Sequence, residues 1–139
     1  MTDPQRLGGS EIGLAYGAAL LALLVLDGLW LGFVAKDLYR REMGTLMADS
    51  VRIAPAAAFY LLYPAALVYL TLLLPSAGWG EAILRGAVLG LAAYGAYDLT
   101  SLAVVRNWPL RLSLIDLAWG AVISAAAAAA GYAATWARH

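Results

Sequence analysis

The chain has 139 residues, of which 63% are hydrophobic and 13% charged, and nine basic residues balance nine acidic ones. Soluble domains hold about 45–50% apolar and about 25% charged residues, and a domain this small keeps much of its surface exposed, so water is excluded as the surrounding solvent and a lipid bilayer is the expected partner. Zero net charge excludes a basic face for nucleic acid. The absence of cysteine excludes disulfides and thiol chemistry, and the single histidine is His139, the last residue, so no cofactor and no metal is expected.

The first apolar run, residues 12–35, follows Arg6 and carries Asp27. It is too long for the core of a signal peptide and lacks a small-residue cleavage pattern at its end, so it reads as the first membrane span. In the following connection, Tyr39, Met43, Leu46 and Met47 recur at helical spacing, with Arg40, Arg41 and Glu42 off that stripe. This pattern predicts a short helix over 36–47 lying on the membrane surface. A second span covers 54–74. The connection 75–81 is turn-like, with Pro75, Gly78 and Gly80, and Trp79 suits the interfacial aromatic belt. A third span covers 82–105. The connection 106–111 reads RNWPLR, in which Asn107 suits a helix end and Pro109 a helix start. A fourth span covers 112–136. The runs are 21–25 residues long, and about 20 cross the hydrocarbon core as helix. Lipid admits only helices and closed barrels, and these runs are too long and too continuously apolar for barrel strands. The fold class is therefore an all-α membrane protein, a four-transmembrane-helix bundle with a short interfacial helix between the first and second spans, forming a single transmembrane domain over 1–139.

Basic residues orient the bundle. Lys36, Arg40, Arg41, Arg52, Arg106 and Arg111 lie in the first and third connections, whereas Arg6, Arg85 and Arg138 lie on the other side. The positive-inside rule puts the first and third connections in the cytoplasm and both termini outside. Small residues recur at close spacing in Gly13/Gly17, Gly28/Gly32, Gly86/Gly90 and the run from Ala125 to Ala130. Such spacings let helix backbones approach, within the protomer or across a homodimer face.

Three acidic residues interrupt the apolar spans: Asp27, Asp98 and Asp116. A carboxylate inside a span is costly, about 2.5–3.5 kcal/mol on insertion scales, and marks a functional site. Alternate spans run in opposite directions, so at about 1.5 Å per residue all three fall in the same half of the bilayer, roughly 7–12 Å inside one surface. Aromatics share that level. Trp30 follows Asp27 by three residues and Trp119 follows Asp116 by three, Tyr94 and Tyr97 flank Asp98, and Tyr60 and Tyr63 reach the same depth from the second span. Asp-x-x-Trp thus occurs in spans one and four and Tyr-x-x-Tyr in spans two and three, an arrangement mirrored along the sequence. A proton or a cation can neutralise such carboxylates, with aromatic faces adding to a cation's binding. Alternatively Arg52, Arg106 and Arg111 snorkel down and pair with them, which makes the cluster structural. No catalytic signature accompanies the aspartates.

The segments LDGLWLG (26–32), AAAFYLLYP (56–64), AYGAYDLTSLA (93–103), NWPL (107–110) and IDLAWG (115–120) resemble a bacterial family of small four-helix membrane proteins that carries no assigned activity. The resemblance spans nearly the whole chain after the N-terminal tail. It implies the same architecture and the cytoplasmic membrane of a bacterium, and it adds Thr100, Trp108 and Pro109 to the residues of interest. The chain departs from the family pattern at Ala96, where a threonine is expected, and at Ser101, where an asparagine is expected. The functional expectation is an acidic–aromatic intramembrane site, Asp27, Trp30, Tyr60, Tyr63, Tyr94, Tyr97, Asp98, Asp116 and Trp119, that binds or transports a proton, an amine or a small amphipathic, lipid-derived ligand. The alternatives are a lipid-modifying enzyme or its accessory subunit, and a structural partner in a membrane complex.

Overall fold

A computed structural model of the chain describes residues 7–46, 52–74 and 78–135. Among these every regular element is a helix. Helix α1 (Gly9–Leu29) continues as a π-helical turn over Trp30–Val34. Helix α2 (Lys36–Met43) ends in a 3-10 turn over Gly44–Leu46. Helix α3 (Ile53–Val68) continues as a π-helical turn over Tyr69–Leu73. Helices α4 (Trp79–Val104) and α5 (Leu110–Thr135) complete the chain. The spans Gly9–Val34, Ile53–Leu73, Trp79–Val104 and Leu110–Thr135 are long and apolar enough to cross a membrane. Large side chains such as Leu21, Phe33, Leu62, Leu84 and Val104 cover the outside. Lipid accepts these side chains, and helices satisfy the backbone polar groups that lipid cannot.

The observed helices begin one to three residues before the apolar runs, and the first three end one residue earlier than they do. The surface helix forms over Lys36–Met43, while Met47 lies outside the described residues. Between α4 and α5, Asn107 adopts the left-handed conformation with φ 63°, which asparagine tolerates better than most residues. The Trp108 indole N–H donates to Ser113 Oγ at 2.9 Å, and that hydroxyl donates to the Pro109 carbonyl at 3.0 Å.

The core is made largely of small side chains, and this sets how closely the helices approach. Ala15 and Ala19 of α1 and Ala127 and Ala128 of α5 are fully buried. Gly86 and Gly90 of α4 lie directly against the α5 backbone at Ser124 and Gly120, and Gly120 in turn seats the ring of Tyr94. The other glycine pairs behave differently from expectation. A Cβ at Gly13, Gly17, Gly28 or Gly32 would meet nothing within 4 Å, because this side of α1 faces outward, away from its neighbours. Close approach inside the protomer is the work of the α4 glycines and the α5 alanines.

Helix α5 packs on both α1 and α4, and α1 packs on α3. Helix α3 reaches α4 through its π-helical end at Tyr69–Leu73. Along Ile53–Val68 the two helices stand apart, bridged by an edge contact between the rings of Tyr63 and Tyr94, with centroids 6.3 Å apart. Pro64 lies inside α3 at this point. It has no N–H to offer the Tyr60 carbonyl, and its ring crowds that carbonyl. The Tyr16 hydroxyl donates to the adjacent Leu61 carbonyl at 2.8 Å, anchoring this stretch of α3 to α1 rather than to α4.

Candidate intramembrane binding site

Asp27 lies seven residues before Val34, Asp98 six before Val104 and Asp116 six after Leu110. At about 1.5 Å per residue each carboxyl is roughly 10 Å below the face on which α2 lies. All three side chains are buried, with 8%, 1% and 8% of their surface exposed. Asp27 and Asp116 open onto a chamber of about 640 Å³. Trp30, Tyr60, Tyr94, Tyr97 and Trp119 also line it, together with Tyr39, Leu31, Phe59, Ala93 and Ala96.

The carboxylates are held by hydroxyl and indole donors. Tyr60 donates to Asp27 Oδ2 at 2.5 Å and the Trp119 indole N–H donates to Oδ1 at 2.9 Å. Tyr39 donates to Asp116 Oδ1 at 2.7 Å, and the Trp30 indole N–H points at the Tyr39 hydroxyl from 3.4 Å. The two indoles stack face to face, with centroids 4.5 Å apart and planes 8° from parallel. The two Asp-x-x-Trp segments therefore meet across the bundle, and each tryptophan serves the aspartate of the other helix, Trp119 directly and Trp30 through Tyr39. The π-helical turn that begins at Trp30, closed by the Ala35 N–H on the Trp30 carbonyl at 2.6 Å, is part of what positions this indole. Such turns recur at functional sites. Burial pushes the Tyr39 phenol above its ordinary range, so it stays protonated and remains a donor.

Seven of the nine expected residues line the chamber; Tyr63 and Asp98 do not. Tyr63 shares a hydrogen bond with Ser124 Oγ at 2.6 Å and stacks on Phe59 with centroids 5.1 Å apart. Asp98 does not line the chamber; it is buried beside the Asp116 carboxyl. Its Oδ2 is buried without a hydrogen-bond partner. Tyr39 was not among the expected site residues. Its place on the apolar stripe of the surface helix is visible in the sequence, but the reach of its hydroxyl to Asp116 is a tertiary contact. Phe59 and Leu31 carry no polar group and give no signal.

The structural alternative required arginine partners. Among the described residues no arginine or lysine pairs with Asp27, Asp98 or Asp116, and the ion pair at hand joins Arg85 to Glu81 near the start of α4. Nor do three metal-ligating side chains converge among the described residues.

Four membrane-spanning helices around an acidic–aromatic chamber define a multi-pass helical membrane protein. Residues 12–133 match the family described as "Predicted membrane protein (DUF2177)", and the chain belongs to that family. The comparisons with curated proteins and with solved structures find no match.

Proposed function

We propose that the chamber binds a small amphipathic cation, an amine or quaternary ammonium, in exchange for protons, and that its open side belongs to the cytoplasmic half of a bacterial inner membrane. One observation carries this reading: Asp27 and Asp116 line a chamber with hydrogen-bond donors fixed on them and, among the described residues, no basic side chain paired to them. The donors orient the carboxylates yet occupy only part of their acceptor capacity. Burying a charge without a counter-ion is costly, so the site calls for a positive occupant. The volume falls in the range of about 300–1,000 Å³ usual for small-molecule sites, and the indole and phenol faces add cation–π attraction, worth about 2 kcal/mol when desolvated. The orientation rests on the six basic residues of the first and third connections.

The test is a titration of benzyltrimethylammonium into nanodisc-embedded protein, followed by tryptophan fluorescence. Saturable quenching is expected, weakened at least about tenfold, or 1.4 kcal/mol, in Asp27→Asn and in Asp116→Asn. Equal binding by wild type and both variants would refute the reading.

A further inference from the structure

The chamber has a side as well as a floor and a roof, and the side identifies the kind of occupant. On the α2 side it is roofed. Tyr39 lies over Asp116, and the stacked pair of Trp30 and Trp119 lies beside it. Toward the opposite membrane face the bundle closes, because Tyr69–Leu73 of α3 packs on α4 and on α5. Between these levels the backbones of α3 and α4 stand apart along Ile53–Val68. The edges of the slot are Phe59 on α3 and Ala96 and Tyr97 on α4. All three line the chamber and all are exposed, Phe59 by 39% and Tyr97 by 56%. At this depth the outside is hydrocarbon, not water.

We propose that the occupant is a single-chain amphiphile that enters sideways from the leaflet, its cationic head against Asp27 and Asp116 and its hydrocarbon chain lying out through the slot between Phe59 and Ala96. This inference rests on the cation reading above and adds the substrate class and the route. A lipid-dissolved chain needs no aqueous path, and the slot offers none: its edges are an aromatic ring, a methyl group and a phenol. With or without a tail, a cation sheds its head-group water on reaching the carboxylates, but an amphiphile is already held in the leaflet by its chain, with its head near the level of α2, and has only to sink about 10 Å. The small side chain at Ala96 leaves width for a methylene chain where a larger residue would fill it.

The experiment uses a dodecyltrimethylammonium analogue with a diazirine at the chain end. It is photolysed with the nanodisc-embedded protein, and the adducts are mapped by mass spectrometry, with Asp27→Asn and Asp116→Asn as controls and benzyltrimethylammonium as the tail-less comparison. The expected result is labelling on the peptides bearing Phe59 or Ala96 and Tyr97, reduced at least about tenfold in either aspartate variant. Aspartate-dependent labelling confined to Leu31 and Tyr39 would overturn the route while leaving cation binding intact. Binding of benzyltrimethylammonium without aspartate-dependent labelling by the long-chain probe would overturn the substrate class. Slot labelling indifferent to both aspartates would show bulk acyl chains filling the gap, and would overturn the inference as well. If neither cation binds, the underlying reading fails and takes this one with it.

Discussion

Replacing Gly90 by alanine probes the contact on which the acidic cluster is mounted. A Cβ at Gly90 would stand 2.7 Å from both the Gly120 carbonyl carbon and Ser124 Oγ, and closer still to the Gly120 carbonyl oxygen, where real Cβ contacts essentially never fall below 3.0 Å. The serine hydroxyl can rotate, but the Gly120 carbonyl belongs to the α5 backbone and cannot turn aside without losing its helical bond. The helices must therefore separate. Overpacking of this kind costs about 1–3 kcal/mol, occasionally more. Parting α4 from α5 also draws Asp98 away from Asp116 and unseats Tyr94 from Gly120. The control is Gly17→Ala, where an added Cβ meets nothing within 4 Å and the cost stays within about 0.5 kcal/mol of zero. Thermal unfolding of both variants in the same nanodiscs, followed by circular dichroism, should show a clearly lower midpoint for Gly90→Ala and an unchanged one for Gly17→Ala. Equal midpoints would mean that α4 and α5 do not approach as described.

Three further outcomes are expected. Tyr60→Phe leaves Asp27 with the Trp119 donor alone; leaving a buried acceptor without its donor costs about 1–3 kcal/mol, less where the site is partly open, and the melting midpoint should drop, which an unchanged midpoint would disprove. Tyr39 has an ordinary value of 10.0 that burial raises in the folded chain. Its protonated phenol therefore stabilises the fold fully below about pH 10, and the contribution is lost as pH climbs toward the raised value; the stability gap between wild type and Tyr39→Phe should narrow in alkali, and a gap independent of pH would contradict the assignment. A reporter fused after His139 should be active only outside the cytoplasm, whereas a cytoplasmic signal would invert the orientation.

The spans are legible in the sequence because lipid acts on local composition: twenty or so consecutive apolar residues cannot be anything else. The common depth of Asp27, Asp98 and Asp116 is legible for the same reason, since a helix of known rise turns residue counts into distance. Which face of each helix turns inward is not. The spans are apolar on all sides, and lipid and protein interior are equally apolar, so Gly13 and Gly17 look as suited to packing as Gly86 and Gly90, yet only the latter pair meets a neighbour. The parting of α3 from α4 is equally hidden. Pro64 is visible, but whether a proline opens a helix pair depends on what lies across from it. Tyr39 belongs to the same class, being read correctly as a residue of a surface helix and missed as a ligand of Asp116.

The central claim is that carboxylates inside the membrane exchange protons for an organic cation. A quaternary ammonium carries no titratable proton, so any pH dependence of its binding reports the protein. The direct measurement is the Kd of benzyltrimethylammonium for the nanodisc-embedded wild type and for Asp27→Asn between about pH 5 and pH 8. Affinity that rises with pH in the wild type, and is weak and flat in Asp27→Asn, is the predicted result. Affinity independent of pH in the wild type, or unchanged in the variant, would contradict the claim.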